Sequence, residues 1–181
     1  MNNDFSKWIL FVEDPGALNF FLPIIYKLNK NFIKYKLISE GTVVKTLEKN
    51  KLKFKSFKSF IKSDDINSYD LLIIGTSENK NSNGFKLIDL AKQNKIKVIG
   101  IIDSPSHASL RFKGNSKNIK RYSPDYLLLP DKYTLNTYLK IGYEKEKLFI
   151  VGNPIFDTNK LKKIRIILLK VAFQKNLKEK L

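Results

Sequence analysis

Three short polar stretches carry the residue types that chemistry uses, and each follows an apolar run. The first is EDPGALN (13–19), where Glu13 and Asp14 stand side by side ahead of Pro15 and Gly16. A carboxylate oxygen can accept a hydrogen bond from a sugar hydroxyl, or take a proton from a hydroxyl within reach. Gly16 would let the backbone come close to a ligand at a helix N-terminus. Asp, Pro and Gly also make an ordinary turn, so both roles stay open. The stretch has one glycine rather than the G-x-G-x-x-G of dinucleotide binders, and two acids would repel a phosphate.

The second stretch, GTSENKNSNG (75–84), offers Gly75, Thr76 and Ser77 as small polar groups with backbone N–H groups at a loop, or a plain strand-to-helix connector. The third, DSPSHASLRF (103–112), holds the only histidine, His107, near Asp103, Ser104, Ser106 and Ser109. A Ser–His–Asp triad would be nucleophilic chemistry. No G-x-S-x-G elbow is present, and a triad is set by geometry rather than by nearness in sequence. His107 is therefore read first as a hydrogen-bonding surface residue.

The runs that must position these loops are KWILFV (7–12), YKLIS (35–39), LKFKSF (52–57), DLLIIG (70–75), IKVIGII (96–102), DYLLLP (125–130) and KLFIVG (147–152). They are short, rich in β-branched and aromatic residues, and end in Gly, Pro or Asp, which reads as strands. Four of them are apolar at successive positions, as in a strand covered on both faces of a parallel sheet. Between them lie helical patterns: LNFFLPIIYKLNK (18–30), with Pro23 expected in the first turns; GTVVKTLEKN (41–50); NGFKLIDLAKQNK (83–95); and DKYTLNTYLKIG (131–142), with Asp131 as N-cap and Gly142 as stop. Alternating strand and helix predicts a single α/β Rossmann-like doubly wound parallel sheet of about seven strands, with helices on both faces. Ligands of such sheets bind outside the carboxyl ends of the strands at the switch point, which is where the polar stretches fall.

With 181 residues the chain fits one domain. It has no cysteine, which excludes disulfides, thiolate metal sites and a cysteine nucleophile, and one histidine excludes a histidine-rich metal site. No metal and no cofactor is expected. No apolar run approaches the ~20 residues of a spanning helix and no signal-peptide pattern opens the chain, so a cytoplasmic location is the default. The formal charge is +17, but only Arg111, Arg121 and Arg165 are arginines and no nucleic-acid motif is present, so specific nucleic-acid binding is not expected. Residues 158–181 hold eight Lys or Arg and one Glu, against 26 and 16 in the first 157. In this tail Leu161, Ile164, Leu168, Val171 and Ala172 share a helical face. A helix over 160–173 docked on the core is expected ahead of a basic amphipathic helix on the inner face of the membrane.

FVEDPGALNFFLPIIYKL, IIGTS, IIDSPSHASLRF and PDYLLLPDKYTLNTYLKIGYEKEKLFIVGNPIFD resemble, in order and spacing, the N-terminal half of GT-B-type glycosyltransferases, of the superfamily of UDP-N-acetylglucosamine 2-epimerases and CDP-glycerol glycerophosphotransferases. The resemblance covers roughly residues 7–157. It implies a split site, in which the N-terminal domain binds the acceptor and often supplies a base, and the C-terminal domain binds the nucleotide-sugar donor. The matching acceptor-side positions are Glu13, Asp14, Gly16 and Asn19, then Gly75, Thr76 and Ser77, then Asp103 and His107, with Asn153 and Pro154 on a cleft-lining turn. Glu13, Asp14 and His107 are the catalytic candidates, and the others the substrate-binding ones.

After Asp157 such an enzyme would continue for a second domain, whereas only the basic stretch 158–181 follows here. The expectation is therefore a domain over 1–157 and a linker or helical tail over 158–181. The chain would be half of a sugar or polyol-phosphate transferase of cell-surface polysaccharide synthesis, inactive alone, as a truncated product, a remnant or a subunit. Expected partners are a nucleotide-sugar or a lipid-linked glycan acceptor, a donor-domain protein meeting an exposed apolar patch, and the membrane periphery. The alternative is a non-catalytic α/β module that binds a nucleotide, a sugar or a partner protein.

Overall fold

The computed structural model describes residues 7–30, 33–156 and 160–178. In chain order the elements are β1 (Lys7–Val12), α1 (Pro15–Lys30), β2 (Lys34–Ser39), α2 (Val44–Lys49), α3 (Phe57–Ser63), β3 (Leu71–Gly75), α4 (Asn83–Gln93), β4 (Lys97–Ile101), β5 (Tyr126–Leu129), α5 (Lys132–Lys140), β6 (Leu148–Ile150) and α6 (Lys160–Lys178). Six strands pair in parallel in the order β2-β1-β3-β4-β5-β6. The first crossover leaves β1 toward β2 and the next returns past β1 to β3, so the order reverses between β1 and β3. The fold is the expected Rossmann-like α/β sheet.

The unbroken apolar runs have the predicted cause. Along β1, Trp8, Leu10 and Val12 point to one face and Ile9 and Phe11 to the other, and all are fully buried. The first face is covered by α1, α2 and α6, the second by α3, α4 and α5. Removing about 25 cal/mol per Å² of apolar surface from water drives both layers together.

Three details depart from the expectations. The run 52–57 is not a seventh strand. It makes one bridge, Ile38 to Lys55, then Ser56 Oγ accepts from the Ser59 N–H and begins α3. The first helix starts at Pro15 rather than 18, because Asp14 caps it and proline suits the first helical position. Pro23 consequently stands in mid-helix, where it has no N–H for the Asn19 carbonyl; Asn19 is exposed, and water can serve that group. Finally, α6 runs on to Lys178, past the expected end at 173. The 157/158 boundary lies outside the described residues.

Asp131 caps α5 as predicted, accepting from the Thr134 N–H at 2.7 Å, and Gly142 takes the left-handed conformation (φ +87°) beyond its end. No helix among the described residues is long and apolar enough to cross a membrane.

One ion pair makes part of the fold pH-sensitive. Asp64, just past α3, accepts from Lys55 at 2.5 Å, Ser63 at 2.8 Å and Tyr69 at 3.0 Å, with Lys36 at 3.7 Å. Burial pushes its carboxyl up, but these donors and charges outweigh burial and hold it down at about 2, below the ordinary 3.8. A depressed carboxylate contributes stability that is complete above the unfolded value and is lost as pH falls through the folded one. The stability gap between the native chain and Asp64→Asn is therefore expected to shrink from pH 4 toward about 2. Urea unfolding at several pH values checks this; a constant gap refutes it.

Candidate functional site

The sheet's order reverses at the carboxyl ends of β1 and β3, and an open cleft of about 590 Å³ lies there. Glu13 and Asp14 line it from the β1 loop, Gly41 and Thr42 from the β2 loop, and Thr76, Ser77, Glu78 and Asn79 from the β3 loop. Asp103 and Arg111, from the loop after β4, complete it. Four strand ends thus feed one crevice, as doubly wound sheets require.

The opening acids have divided tasks. Asp14 Oδ1 accepts from the N–H groups of Gly16 at 2.9 Å and Ala17 at 3.4 Å, so it caps α1 as ordinary turn chemistry would. That carboxylate already occupies the helix N-terminus, the position that an anion would otherwise take. Glu13 Oε1 accepts from Ser77 Oγ at 2.5 Å, which joins the first and second polar stretches across the switch point. Among the described residues no group of three or more His, Asp or Glu is placed to hold a metal.

Arg111 organises the floor. Its Nη1 donates to Thr76 Oγ1 at 2.8 Å and to the Thr76 carbonyl at 3.3 Å, and its Nε donates to the Ser106 carbonyl at 3.1 Å. Thr76 in turn donates to the Ile101 carbonyl at 3.1 Å. Nη1 also lies 3.0 Å from Asp103 Oδ1, an ion pair by distance that lacks the alignment of a hydrogen bond, and that oxygen is buried without another partner. The Arg111 side chain is only 7% exposed. A guanidinium presents five donors in a fixed fork, which suits it to tie several loop carbonyls at once.

Gly16 is required by close approach. A methyl group added there would lie 2.1 Å from Asp103 Oδ2 and 3.2 Å from Asp14 Oδ1, so two carboxylates pack beside its Cα. Gly75, at the end of β3, allows the tight seat of α1: an added methyl would fall 2.7 Å from the Ala17 Cβ.

The remaining predicted residues are dispersed. His107 is exposed, takes a left-handed backbone (φ +53°) and pairs through Nδ1 with Glu78 at the rim. Ser104 donates to Ser106 at 3.0 Å and Asp103 pairs with Arg111, so among the described contacts His107 is joined to neither a serine nor Asp103. Asn19 is exposed on α1, outside the cleft lining. Asn153 and Pro154 follow β6 at the far edge of the sheet, where Asn153 Oδ1 accepts from the Ile155 N–H at 3.1 Å. Arg111, Gly41, Thr42, Glu78 and Asn79 were missed as site residues. For Arg111 a signal existed, since it is one of three arginines in a chain with 34 basic residues.

No protein-family model matches the sequence, and no curated protein does. Solved structures do. UDP-GlcNAc 2-epimerase from Neisseria meningitidis, bound to UDP-GlcNAc, aligns with a TM-score of 0.60 at 14% identity, over 93% of this chain and 52% of that one. The UDP-N-acetylglucosamine 2-epimerase of Rickettsia bellii gives 0.58 and 14%, over 96% and 51%. A glycosyltransferase from Rickettsia africae gives 0.55 and 10%, over 82% and 43%. Likeness at such identities is a likeness of fold, and this chain spans about half the length of each. It has the GT-B-like fold of one half of these sugar-nucleotide epimerase and glycosyltransferase chains.

Proposed function

We propose that the chain is the acceptor-binding half of a sugar or polyol-phosphate transferase of cell-surface polysaccharide synthesis, competent only with a donor domain. The observation that carries this is the lining of the switch-point cleft. Glu13, Asp103, Ser77 and Thr42 line it, while Asp14 fills the α1 terminus that would hold a phosphate. Four acids against one arginine favour a hydroxyl-rich acceptor over a nucleotide diphosphate. Glu13 is the base: held by Ser77, its carboxylate takes the proton from an acceptor hydroxyl as that oxygen attacks the donor's transferred group, whose bond to the nucleotide breaks so that the nucleotide leaves with its phosphate.

The donor comes from a second body. Residues 1–157 form the acceptor domain in this proposal and 158–181 a basic linker or helical tail, of which α6 packs on the domain. Ile155 and Phe156, 47% and 86% exposed, offer a donor-domain protein an apolar contact. A lipid-linked or glycan acceptor fits the open cleft. Transfer needs both substrates held in line, so one wall is not sufficient.

The test mixes the chain with UDP- and CDP-linked donors, with and without a C-terminal domain from a solved relative. No turnover is expected for the chain alone, and turnover is expected with the domain. Gly16→Ala should abolish it in a folded protein by displacing Asp103. Transfer or hydrolysis by the isolated chain would overturn the proposal. Sugar binding without transfer in either mixture would point to a non-catalytic module.

A further inference from the structure

The switch-point cleft carries the opposite charge to its chain. Basic residues outnumber acidic ones 34 to 17 in the sequence, so a wall drawn evenly from this composition would be cationic. The ten lining residues instead hold four acids, Glu13, Asp14, Glu78 and Asp103, against Arg111 alone. Two of the four have charged or titratable partners: Asp103 lies 3.0 Å from Arg111, and Glu78 turns to His107 at the rim. Among the described residues, neither Glu13 nor Asp14 pairs with a lysine or arginine. Two adjacent carboxylates thus line the cleft without a countercharge, in a chain of formal charge +17.

The surroundings narrow what would supply that charge. Ser77 Oγ donates to Glu13, and the Gly16 and Ala17 N–H groups to Asp14, so the donors on the page are neutral. Asp14 Oδ1 and Asp103 Oδ2 both approach the Cα of Gly16: a methyl group there would lie 3.2 and 2.1 Å from them. The other oxygen of Asp103 is buried without a hydrogen bond. An ammonium group brings three donors and no acceptor, and its hydrogen bonds to carboxylates are about twice as strong as those between neutral groups. A phosphate would meet four acids and one arginine, and the described residues offer no cluster for a metal ion.

We propose that the acceptor carries a protonated amine beside its hydroxyls, as an amino sugar does. Asp14 and Asp103 hold the ammonium group, which leaves Glu13 for the hydroxyl. This rests on the proposed acceptor role of the cleft and narrows it.

Sugar binding to the full chain, with no donor domain present, tests it at about pH 6, where ordinary amines are protonated and carboxylates ionised. The probes are glucosamine, glucose, N-acetylglucosamine and glucose 6-phosphate, followed by calorimetry or ligand-observed NMR. Glucosamine should bind about tenfold tighter than glucose, the worth of one hydrogen bond between charged groups. N-acetylglucosamine, whose nitrogen is uncharged, should fall back to the level of glucose, and glucose 6-phosphate below it. Added salt should narrow the preference. Asp14→Asn removes the charge and keeps a good N-cap, so it should fold and lose most of the preference. Asp103→Asn should lose it too, whereas Glu146→Gln, at an exposed acid before β6, should keep it. Equal binding of glucosamine and glucose would overturn the proposal, as would a preference retained by both Asn variants. So would competition by magnesium ion at constant ionic strength. Turnover with a donor domain but no amine preference would remove this inference alone; an amine preference without turnover would remove the transferase reading alone. A chain that binds none of the sugars would overturn both.

Discussion

Replacing Arg111 by methionine is expected to destabilise the fold by about 3–5 kcal/mol, the usual result of removing one partner of a buried ion pair. Three losses add in one direction. Asp103 Oδ1, already without a hydrogen bond, would lose the cation described beside it. The carbonyls of Thr76 and Ser106 would lose their donors, and the loops after β3 and β4 would lose the side chain that joins them. Arg111→Lys should recover only a part, because an ammonium group cannot reproduce the fork. Arg111→Met/Asp103→Asn should be less destabilised than the sum of the single changes, since neutralising the carboxylate relieves its unpaired burial. Urea unfolding of the four variants measures this. A change of less than about 0.5 kcal/mol for Arg111→Met would place it in the range of ordinary surface substitutions and remove it as organiser of the cleft.

Ile164→Ala and Leu168→Ala should each cost about 2–5 kcal/mol, as large-to-small changes in a packed core do. Both side chains are 1% exposed, in one cluster with Trp8, Ile24 and Leu28. Ile166→Ala, on the outer side of the same helix, should stay within about 0.5 kcal/mol. The three variants have similar chemistry and differ only in the face they occupy, so the contrast isolates docking from helix propensity. If all three leave the unfolding midpoint unchanged, α6 is not part of the cooperative unit. If the two inner variants alone lower it, the basic tail is core structure through its inner side.

Much of the molecule was legible beforehand because the controlling forces are local or periodic. Runs such as WILFV and LLII, apolar at successive positions, mean burial on both faces, and that alone dictates a doubly wound parallel sheet. The Asp131 cap and the Gly142 stop follow from backbone chemistry within a few residues. The inner face of α6 followed from helical spacing. The loop EDPG lies at a strand end as expected, with Asp14 as the turn's cap and Glu13 lining the cleft.

What the tertiary structure alone decided depends on strand order and on long-range contact. Local propensity could not tell that LKFKSF makes a single bridge before Ser56 starts a helix, because an edge bridge and a full strand share one pattern. It could not tell that His107 turns to Glu78 while Arg111, a few residues on, enters the cleft floor, since spacing along a loop does not fix direction. Asn153 and Pro154 are strand-end residues like Glu13, yet β4 and β5 stand between β3 and β6 and hold them away from the switch point.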